Sequence, residues 1–326
     1  SMADATIIMA GGSGTRLWPA STPRRPKQLL RIGGGASLVQ QAILRALAAT
    51  PDGPIVIVTH QDHAAPIHEH VRELEAGAPH SSAAGAGPRG TATATAGHSA
   101  RLSERVVYLP EPVGRNTAPA IALGASYLET VLPPEASVLV LTADHVIRPV
   151  ERFAADAGLA AELAGEGYLV CFGITPTRPE TGFGYIQAGS APGGAAGGAS
   201  AAAAAGHGLL VEAFREKPDL ATAEEYLRRG NFYWNSGMFT FTLGRFGDEL
   251  SRHAPRIANG FRGARAELRV SRRPDGMNAA DPEALRRIYE TLPKISIDYA
   301  VMERSDRVAV VPASFAWNDV GSWDEA

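Results

Sequence analysis

Four short apolar runs, separated by stretches with helical spacing, set the character of the first 150 residues. They are "TIIMA" (6–10), "PIVIVT" (54–59), "RVVYLP" (105–110) and "SVLVLTAD" (137–144). Each is β-branched, bounded by turn residues and too short for a globular helix, so each reads as a buried strand of a largely parallel sheet. Between them, "SLVQQAILRALAAT" (37–50) carries apolar residues at 38, 39, 43, 44 and 47, which is helical spacing. "NTAPAIALGASYLETVL" (116–132) also predicts a helix, with Asn116 or Thr117 as its cap and Pro119 in the first turn. Parallel strands need crossovers, so this alternation predicts βαβ units: an α/β fold with an open sheet and helices on both faces.

The second half changes character. "GYLVCFGI" (167–174) is a further buried strand, and "GFGYIQAG" (182–189) and "GLLVEAFREKP" (208–218) read as two strands joined by a loop. That loop, 190–208, is nearly all Ala, Gly and Ser and is expected to be a mobile surface insertion, as is the similar stretch 80–100. "WNSGMFTFTL" (234–243) predicts a strand, 245–290 carries helical patterning, and 307–323 returns to a strand followed by a turn. Hydrophobic residues make up 45% of the chain and charged residues 20%, which fits a soluble globular protein rather than a disordered one. The net charge of −3, with no long basic block, argues against a nucleic-acid partner. No apolar run approaches the ~18 residues of a membrane helix, and no signal-peptide pattern opens the chain, so no membrane partner is expected. One cysteine, Cys171, excludes an internal disulfide and suits a reducing, cytoplasmic setting. Ser1 is expected to be a tag remnant ahead of a native Met2.

The first strand runs into Gly11, Gly12, Ser13, Gly14 and Thr15, then Arg16 and, beyond three prolines, Lys27. A P-loop is excluded, because no Gly-Lys-Ser/Thr occurs. The dinucleotide fingerprint is excluded too: Leu17 stands where a small residue is needed, and the prolines keep the chain extended to about Gln28. Backbone N–H groups at 11–14 are placed to wrap an anion, with Arg16 and Lys27 adding mobile positive charge. On the glycines alone, a surface turn with two solvated cations is an equal alternative.

The longer pattern is more specific. "AGGSGTRLWPASTPRRPKQLL" resembles the signature of the sugar-1-phosphate nucleotidyltransferases, and Trp18 and Gln28 favour the mannose-1-phosphate guanylyltransferase branch. The resemblance continues in order through "EPVGRNTAPAIALGA" (111–125), "LTADHVI" (141–147), "FGITPTRPETGFGYI" (172–186), "FREKP" (214–218), "YWNSGMF" (233–239), "SIDYAVMER" (296–304) and "WNDVGSW" (317–323). It implies a Rossmann-like three-layer α/β/α sandwich with a mixed, mostly parallel sheet, as a single domain over 2–326. It also implies a reaction: the phosphate of mannose 1-phosphate attacks the α-phosphorus of GTP in line, giving GDP-mannose and pyrophosphate. Some longer family members carry a C-terminal isomerase domain or a β-helical tail. The sequence stops at Ala326, so no isomerase activity is expected of it.

By the same resemblance, Arg16 and Lys27 clamp the phosphates, and Asp144 and Asp319 hold Mg²⁺ as the cofactor; the residues alone equally allow two exposed capping aspartates. Gly11 to Thr15 would cradle the nucleotide. Glu111 is a candidate for accepting from guanine, while Asn116 and Thr117 are candidates for the nucleotide side and equally for helix capping. On the sugar side, Gly182 and Gly184 admit close approach, Glu216 and Asn235 offer hydrogen bonds, Lys217 meets the sugar phosphate, and His145 either lines the sugar or orients Asp144. Without the family, "EKP" reads as a surface turn. Cys171, Trp234 and Met238 are expected in the core. Two alternatives stand beside this reading: a pyrophosphorylase for another base or sugar, and a catalytically silent sugar-nucleotide sensor, the latter disfavoured because Arg16, Lys27 and both aspartates are present. The assembly, a homodimer among the alternatives, is left open.

Overall fold

The computed structural model describes residues 2–11, 26–32, 35–77, 101–192 and 208–320. An eleven-stranded mixed sheet organises them. Its middle is β1 (Ala5–Ala10), β2 (Ile55–His60), β3 (Val106–Glu111) and β4 (Ser137–Thr142), each within two residues of the run that predicted it. They lie in the order β3-β2-β1-β4, and every ladder among them is parallel. The chain winds outward from β1 to β2 and β3, then returns to place β4 on the other side of β1. Winding reverses between β1 and β4, and in open α/β sheets the crevice at the carboxyl ends of such strands receives the ligand.

Helices α1 (Leu38–Ala49), α2 (Ala64–Gly77), α3 (Leu102–Arg105) and α4 (Thr117–Leu128) connect or flank these strands. Ser37 starts α1 with a capping box: its hydroxyl accepts from the Gln40 amide, and Gln40 Oε1 accepts from the Ser37 amide at 2.9 Å. Successive strand residues point to opposite faces and so feed two cores. Ile7, Val56, Leu109 and Val140 pack with Ile121 and Leu123 of α4; Ile8, Ile57 and Leu141 pack with Val39 and Ile43 of α1 and Ile67 of α2. That is the expected three-layer sandwich.

The second half adds β5 (Val146–Arg148), α5 (Val150–Gly165), β6 (Leu169–Ile174), β7 (Tyr185–Ala188), β8 (Leu209–Arg215), α6 (Leu220–Arg229) and β9 (Phe232–Thr242). Strand β9 pairs antiparallel with β4, β6 and β7. After α7 (Leu243–His253) and α8 (Pro255–Phe261), a small hairpin forms from β10 (Val270–Arg272) and β11 (Asn278–Ala280), with β11 parallel to β3. Helix α9 (Pro282–Tyr289), a π turn at Asp298–Met302, β12 (Val308–Pro312) and β13 (Ala316–Asn318) are the last of the described elements. Strand β12 runs parallel to β6 and antiparallel to β8, and β8 pairs with β7, so β9-β6-β12-β8-β7 form a closed ring of pairings. Parallel ladders thus dominate the first half, and antiparallel ones gather around β9.

Cys171, Trp234 and Met238 are buried as expected. The two stretches expected to be mobile, 80–100 and most of 190–208, lie outside the described residues. Among the described residues, no helix is long and apolar enough to cross a membrane.

Gly173 tests how tightly the ring is packed. A Cβ there would lie 2.8 Å from Tyr233 Cβ on β9 and 2.8 Å from Val310 Cγ2 on β12. Gly173→Ala is expected to lower stability by about 1–3 kcal/mol through overpacking, read as a lower urea midpoint at unchanged slope. An unshifted midpoint would show that the neighbouring strands yield freely.

Candidate active site

A cavity of about 370 Å³ opens at the carboxyl ends of β1, β3 and β4. It gathers Gly11, Lys27, Glu111, Asn116, Thr117 and Asp144, six of the residues singled out in the sequence. Gly12, Ser13, Gly14, Thr15 and Arg16 lie outside the described residues. The Ala10 carbonyl, where the glycine turn begins, accepts from Thr59 Oγ1 at 2.7 Å and Gln28 Nε2 at 3.1 Å. A Cβ on Gly11 would stand 3.3 Å from Glu111 Oε1, so the glycine makes room for that carboxyl. Glu111 ends β3 and is 5% exposed. Burial pushes its pKa up to about 7, against the pull of the Tyr289 hydroxyl, which donates to Oε2 at 2.7 Å from the end of α9.

Asn116 takes up the capping role, and Thr117 opens the helix. Asn116, at φ 67°, accepts the Thr117 amide on Oδ1 at 2.8 Å, and Thr117 Oγ1 accepts from the Ile297 amide at 2.8 Å. Both still line the cavity, together with Arg115 and Lys294, two cations that the sequence reading did not single out.

Lys27 is the most constrained charge. Its side chain is 4% exposed, and Nζ donates to the Asp319 carbonyl at 2.6 Å and sits 3.8 Å from Asp144 Oδ2. The antiparallel pair β5–β13 explains how Asp144 and Asp319 meet: Asn318 faces Val146, so Asp319 continues toward the turn that holds Asp144 and His145. Asp144 keeps 45% side-chain exposure. Surrounding protein works against its charge, but His145, Lys27 and hydrogen bonds from Thr142 and its own backbone outweigh that and hold its carboxyl below the ordinary range.

His145, expected on the sugar side or as the orienting partner of Asp144, takes the second position. It is 8% exposed. The Trp317 indole N–H, which can only donate, reaches Nδ1 at 3.2 Å, which assigns the neutral-ring proton to Nε2, 3.4 Å from Asp144 Oδ1. Thr142 Oγ1 is 2.7 Å from the same Nδ1. Beneath them, Arg45 of α1 is 1% exposed and donates to the His145 carbonyl at 3.4 Å; burial lowers its pKa to about 10 while Asp144 pulls it back up. Arg45 was legible. It lies seven residues after Leu38 and three after Ala42, inside the apolar stripe of an amphipathic helix.

A second cluster lies on the other side of an aromatic wall. Gly184, Glu216 and Asn235 meet there as expected. The Asn235 amide donates to the Gly184 carbonyl at 2.9 Å, Asn235 Nδ2 donates to Asp298 Oδ1 at 2.9 Å, and Oδ1 accepts from Gly237 at 3.1 Å. The room left by Gly184, expected to admit a sugar, is taken up by Glu216: a Cβ would stand 2.9 Å from Glu216 Oε1. Asp298, at the start of the π turn, was not anticipated. Burial drives its pKa up to about 6, Asn235 eases it, and Glu216 and Glu303 add repulsion. Lys217 is exposed, on a left-handed backbone at φ 34°, and the Gly182 amide donates to Glu180 at 3.2 Å. The wall is a chain of edge contacts: His145 to Trp317 (5.0 Å), Trp317 to Phe183 (5.7 Å) and Phe183 to Trp234 (5.0 Å).

Mg²⁺ fits the donor chemistry at Asp144 and Asp319. The carboxylate that reaches the cavity, Asp144, is held ionised and half-exposed. Among the described residues no group of three or more His, Cys, Asp or Glu assembles. Two carboxylates at most leave the remaining positions to water and phosphate oxygens, which is the habit of Mg²⁺ rather than of metals held in protein cages.

Residues 5–326 match the model of the nucleotidyl transferase family, and the chain belongs to that family. It is 41% identical over 318 residues to the xanthan biosynthesis protein XanB of Xanthomonas campestris pv. campestris (strain B100), covering 97% of this chain and 57% of XanB. It is 37% identical over 323 residues to the mannose-1-phosphate guanylyltransferase of Escherichia coli (strain K12), covering 97% of this chain and 58% of that enzyme. The chain therefore spans little more than half the length of these relatives. Among solved structures, the mannose-1-phosphate geranyltransferase from Thermus thermophilus matches with a TM-score of 0.74 at 31% identity, over 98% of this chain and 77% of that one.

Asp298 gives a test of the second cluster. A carboxyl whose pKa is raised on folding contributes stability that is present below its unfolded pKa near 3.8 and lost as pH rises through about 6. Asp298→Asn, which carries no charge, is expected to gain about 1–3 kcal/mol relative to wild type between pH 4 and 7. The check is denaturant unfolding of both proteins across that range. Parallel pH profiles would mean that Asp298 is solvated.

Proposed function

We propose that this chain transfers GMP from GTP to mannose 1-phosphate, releasing pyrophosphate and forming GDP-mannose. The observation that carries the reading is Lys27. It is a buried ammonium lodged between Asp144 and the Asp319 backbone, at the crevice where β1 and β4 diverge, in a chain whose relatives include named mannose-1-phosphate guanylyltransferases. A non-bridging oxygen of the sugar phosphate forms the new bond to the α-phosphorus, and the α–β bridging P–O bond breaks with its electron pair going to pyrophosphate. A phosphate oxygen is already an anion, so no general base is needed; the protein's work is alignment and charge neutralisation. Lys27 and Arg16 neutralise the triphosphate, with Arg115 and Lys294 adding positive charge to the cavity wall. Asp144 and Asp319 hold Mg²⁺, which when bound supplies charge stabilisation on the phosphate oxygens. Gly184, Glu216 and Asn235 form the sugar side, with Asp298 fixing the Asn235 amide and Lys217 meeting the sugar phosphate.

Glu111 is the base reader in this scheme. Ionised, its two oxygens accept from guanine N1–H and N2–H. Protonated, it presents one donor and one acceptor, which suits adenine better. A product assay over nucleoside triphosphates and sugar 1-phosphates should show GTP and mannose 1-phosphate preferred, and equal kcat/KM for GTP and ATP would contradict the guanylyl assignment. The preference for GTP should sharpen as pH rises through about 7, where Glu111 ionises. Glu111→Gln should erode it by on the order of 100-fold or more, because a buried amide donor then faces guanine's donors. Tyr289→Phe removes a donor that favours the ionised carboxyl and should move the midpoint to higher pH.

The two aspartates make a separate test. Asp144→Ala should leave a folded protein with kcat lowered on the order of 100-fold or more, since it removes charge stabilisation at the reacting centre. Full turnover in excess EDTA would refute the Mg²⁺ role.

A further inference from the structure

On the outer edge of the sheet, away from the catalytic cavity, a groove of about 870 Å³ lies between α2, the start of α3 and the turn joining β10 to β11. It shares no lining residue with the cavity at β1 and β4. We propose that this groove binds a small phosphate-bearing anion of nucleotide size.

Four arginines line it: Arg72 from α2, Arg101 ahead of α3, and Arg272 and Arg273 at the end of β10. Two carboxylates face them, Glu75 and Asp275. Both already serve backbone amides: Glu75 Oε2 accepts from Ser103 at 3.2 Å and Asp275 Oδ1 accepts from Met277 at 3.0 Å. Among the described residues, Arg72, Arg101 and Arg272 form no ion pair, in contrast to Arg31, Arg178, Arg228, Arg265, Arg286 and Arg287. The 23 residues between α2 and Arg101, 78–100, contain no Asp or Glu, so the covalently adjacent segment brings no carboxylate to them. Four cations against two carboxylates leave the lining with an excess of positive charge, which an outside anion would offset.

The groove is also built rather than incidental. His68, 4% exposed, forms its floor and has both ring nitrogens engaged. Nε2 lies 3.2 Å from the Asp275 carbonyl, which can only accept, so Nε2 carries the proton and Nδ1 accepts from the Tyr108 hydroxyl at 3.2 Å. That pair anchors the β10–β11 turn to β3. Gly276, at φ 88°, closes the turn in a conformation few other residues adopt. Arg273 Nη2 donates to the Ala280 carbonyl at 3.4 Å, which holds the base of the hairpin. Guanidinium forks pair with phosphate oxygens two at a time, and the volume lies within the roughly 300–1,000 Å³ of small-molecule pockets.

The test is isothermal titration of the full chain with inorganic pyrophosphate and, separately, with GDP. Wild type is expected to take up a pyrophosphate equivalent that Arg72→Glu/Arg272→Glu weakens at least tenfold and that Lys27→Ala leaves in place. These arginines are exposed, so the double variant should keep the wild-type melting temperature and transfer rate; Arg101→Glu alone is a second, milder variant with the same expectation. GDP should compete for the groove equivalent in the Lys27→Ala protein. An isotherm unchanged by both groove variants would overturn the proposal, as would uptake abolished entirely by Lys27→Ala. The outcome is independent of the transfer reaction: if that assignment fails, the catalytic equivalent disappears and the groove equivalent remains.

Discussion

The buried ammonium of Lys27 ties the site together. A charge taken out of water needs close compensation, and Lys27 obtains it from two places that are distant in sequence: the Asp144 carboxylate and the Asp319 carbonyl, 292 residues away. The Asp144 contact needs β4 and the chain after β1, and the Asp319 contact needs the β5–β13 ladder as well, so the site is complete only when the two ends of the chain have met. The same contacts place Lys27, while two hydrogen bonds on the Ala10 carbonyl, one of them from the neighbouring Gln28, hold the end of β1.

Charge is distributed unevenly about this centre. Lys27, Arg115 and Lys294 line the first cavity alongside Asp144 and the buried Glu111. Beyond the Trp317–Phe183–Trp234 wall the balance reverses: Glu216 and Glu303 add to the cost of ionising Asp298, and Glu216 adds to that of Glu303. The three cations of the cavity suit a triphosphate. An acidic cluster with an oriented amide suits hydroxyl groups, which donate to carboxylates without needing a counter-charge. Asp144 is held below the ordinary carboxylate range although protein surrounds it, because His145 and Lys27 lie against it and Thr142 and its own backbone donate to it. Asp144 in turn pulls the Arg45 pKa back up against the effect of burial, and the His145 carbonyl accepts from the same guanidinium.

Much of this was legible in the sequence, for identifiable reasons. The central strands are continuous β-branched runs of six residues, and the helices after Ser37 and Asn116 begin on side chains that can cap, so their local signals and their tertiary roles agree. Strands β10, β11, β5 and β13 are three residues each, too short to show alternation, and they exist because a neighbouring ladder offers them partners. Tyr289 and Asp298 were missed because their roles depend on pairings across 178 and 63 residues, with Glu111 and Asn235 respectively. Nothing local distinguishes Tyr289 from an ordinary aromatic at the end of an amphipathic helix. Arg45 differs: a cation within an apolar stripe is visible from helical spacing alone, and it marks a buried charge whose partner must be sought.

Gly11 and Gly184 each lie against a carboxylate. At Gly11 and Gly184 the structure shows no left-handed backbone; what it shows is a carboxylate in the place of a Cβ, with Glu111 Oε1 3.3 Å away in one case and Glu216 Oε1 2.9 Å away in the other. An alanine at either position would press on the acid rather than strain the main chain. The result is the same arrangement on both sides of the aromatic wall: a strand or its end supplies the acid, a glycine across from it supplies the space, and the acid is set back against main chain. Glu111 gains its recess at the cost of a pKa near 7, whereas Glu216, which is exposed, keeps water on its other side. At these two positions the absence of a Cβ leaves room for the end of a glutamate side chain, buried at Glu111 and exposed at Glu216.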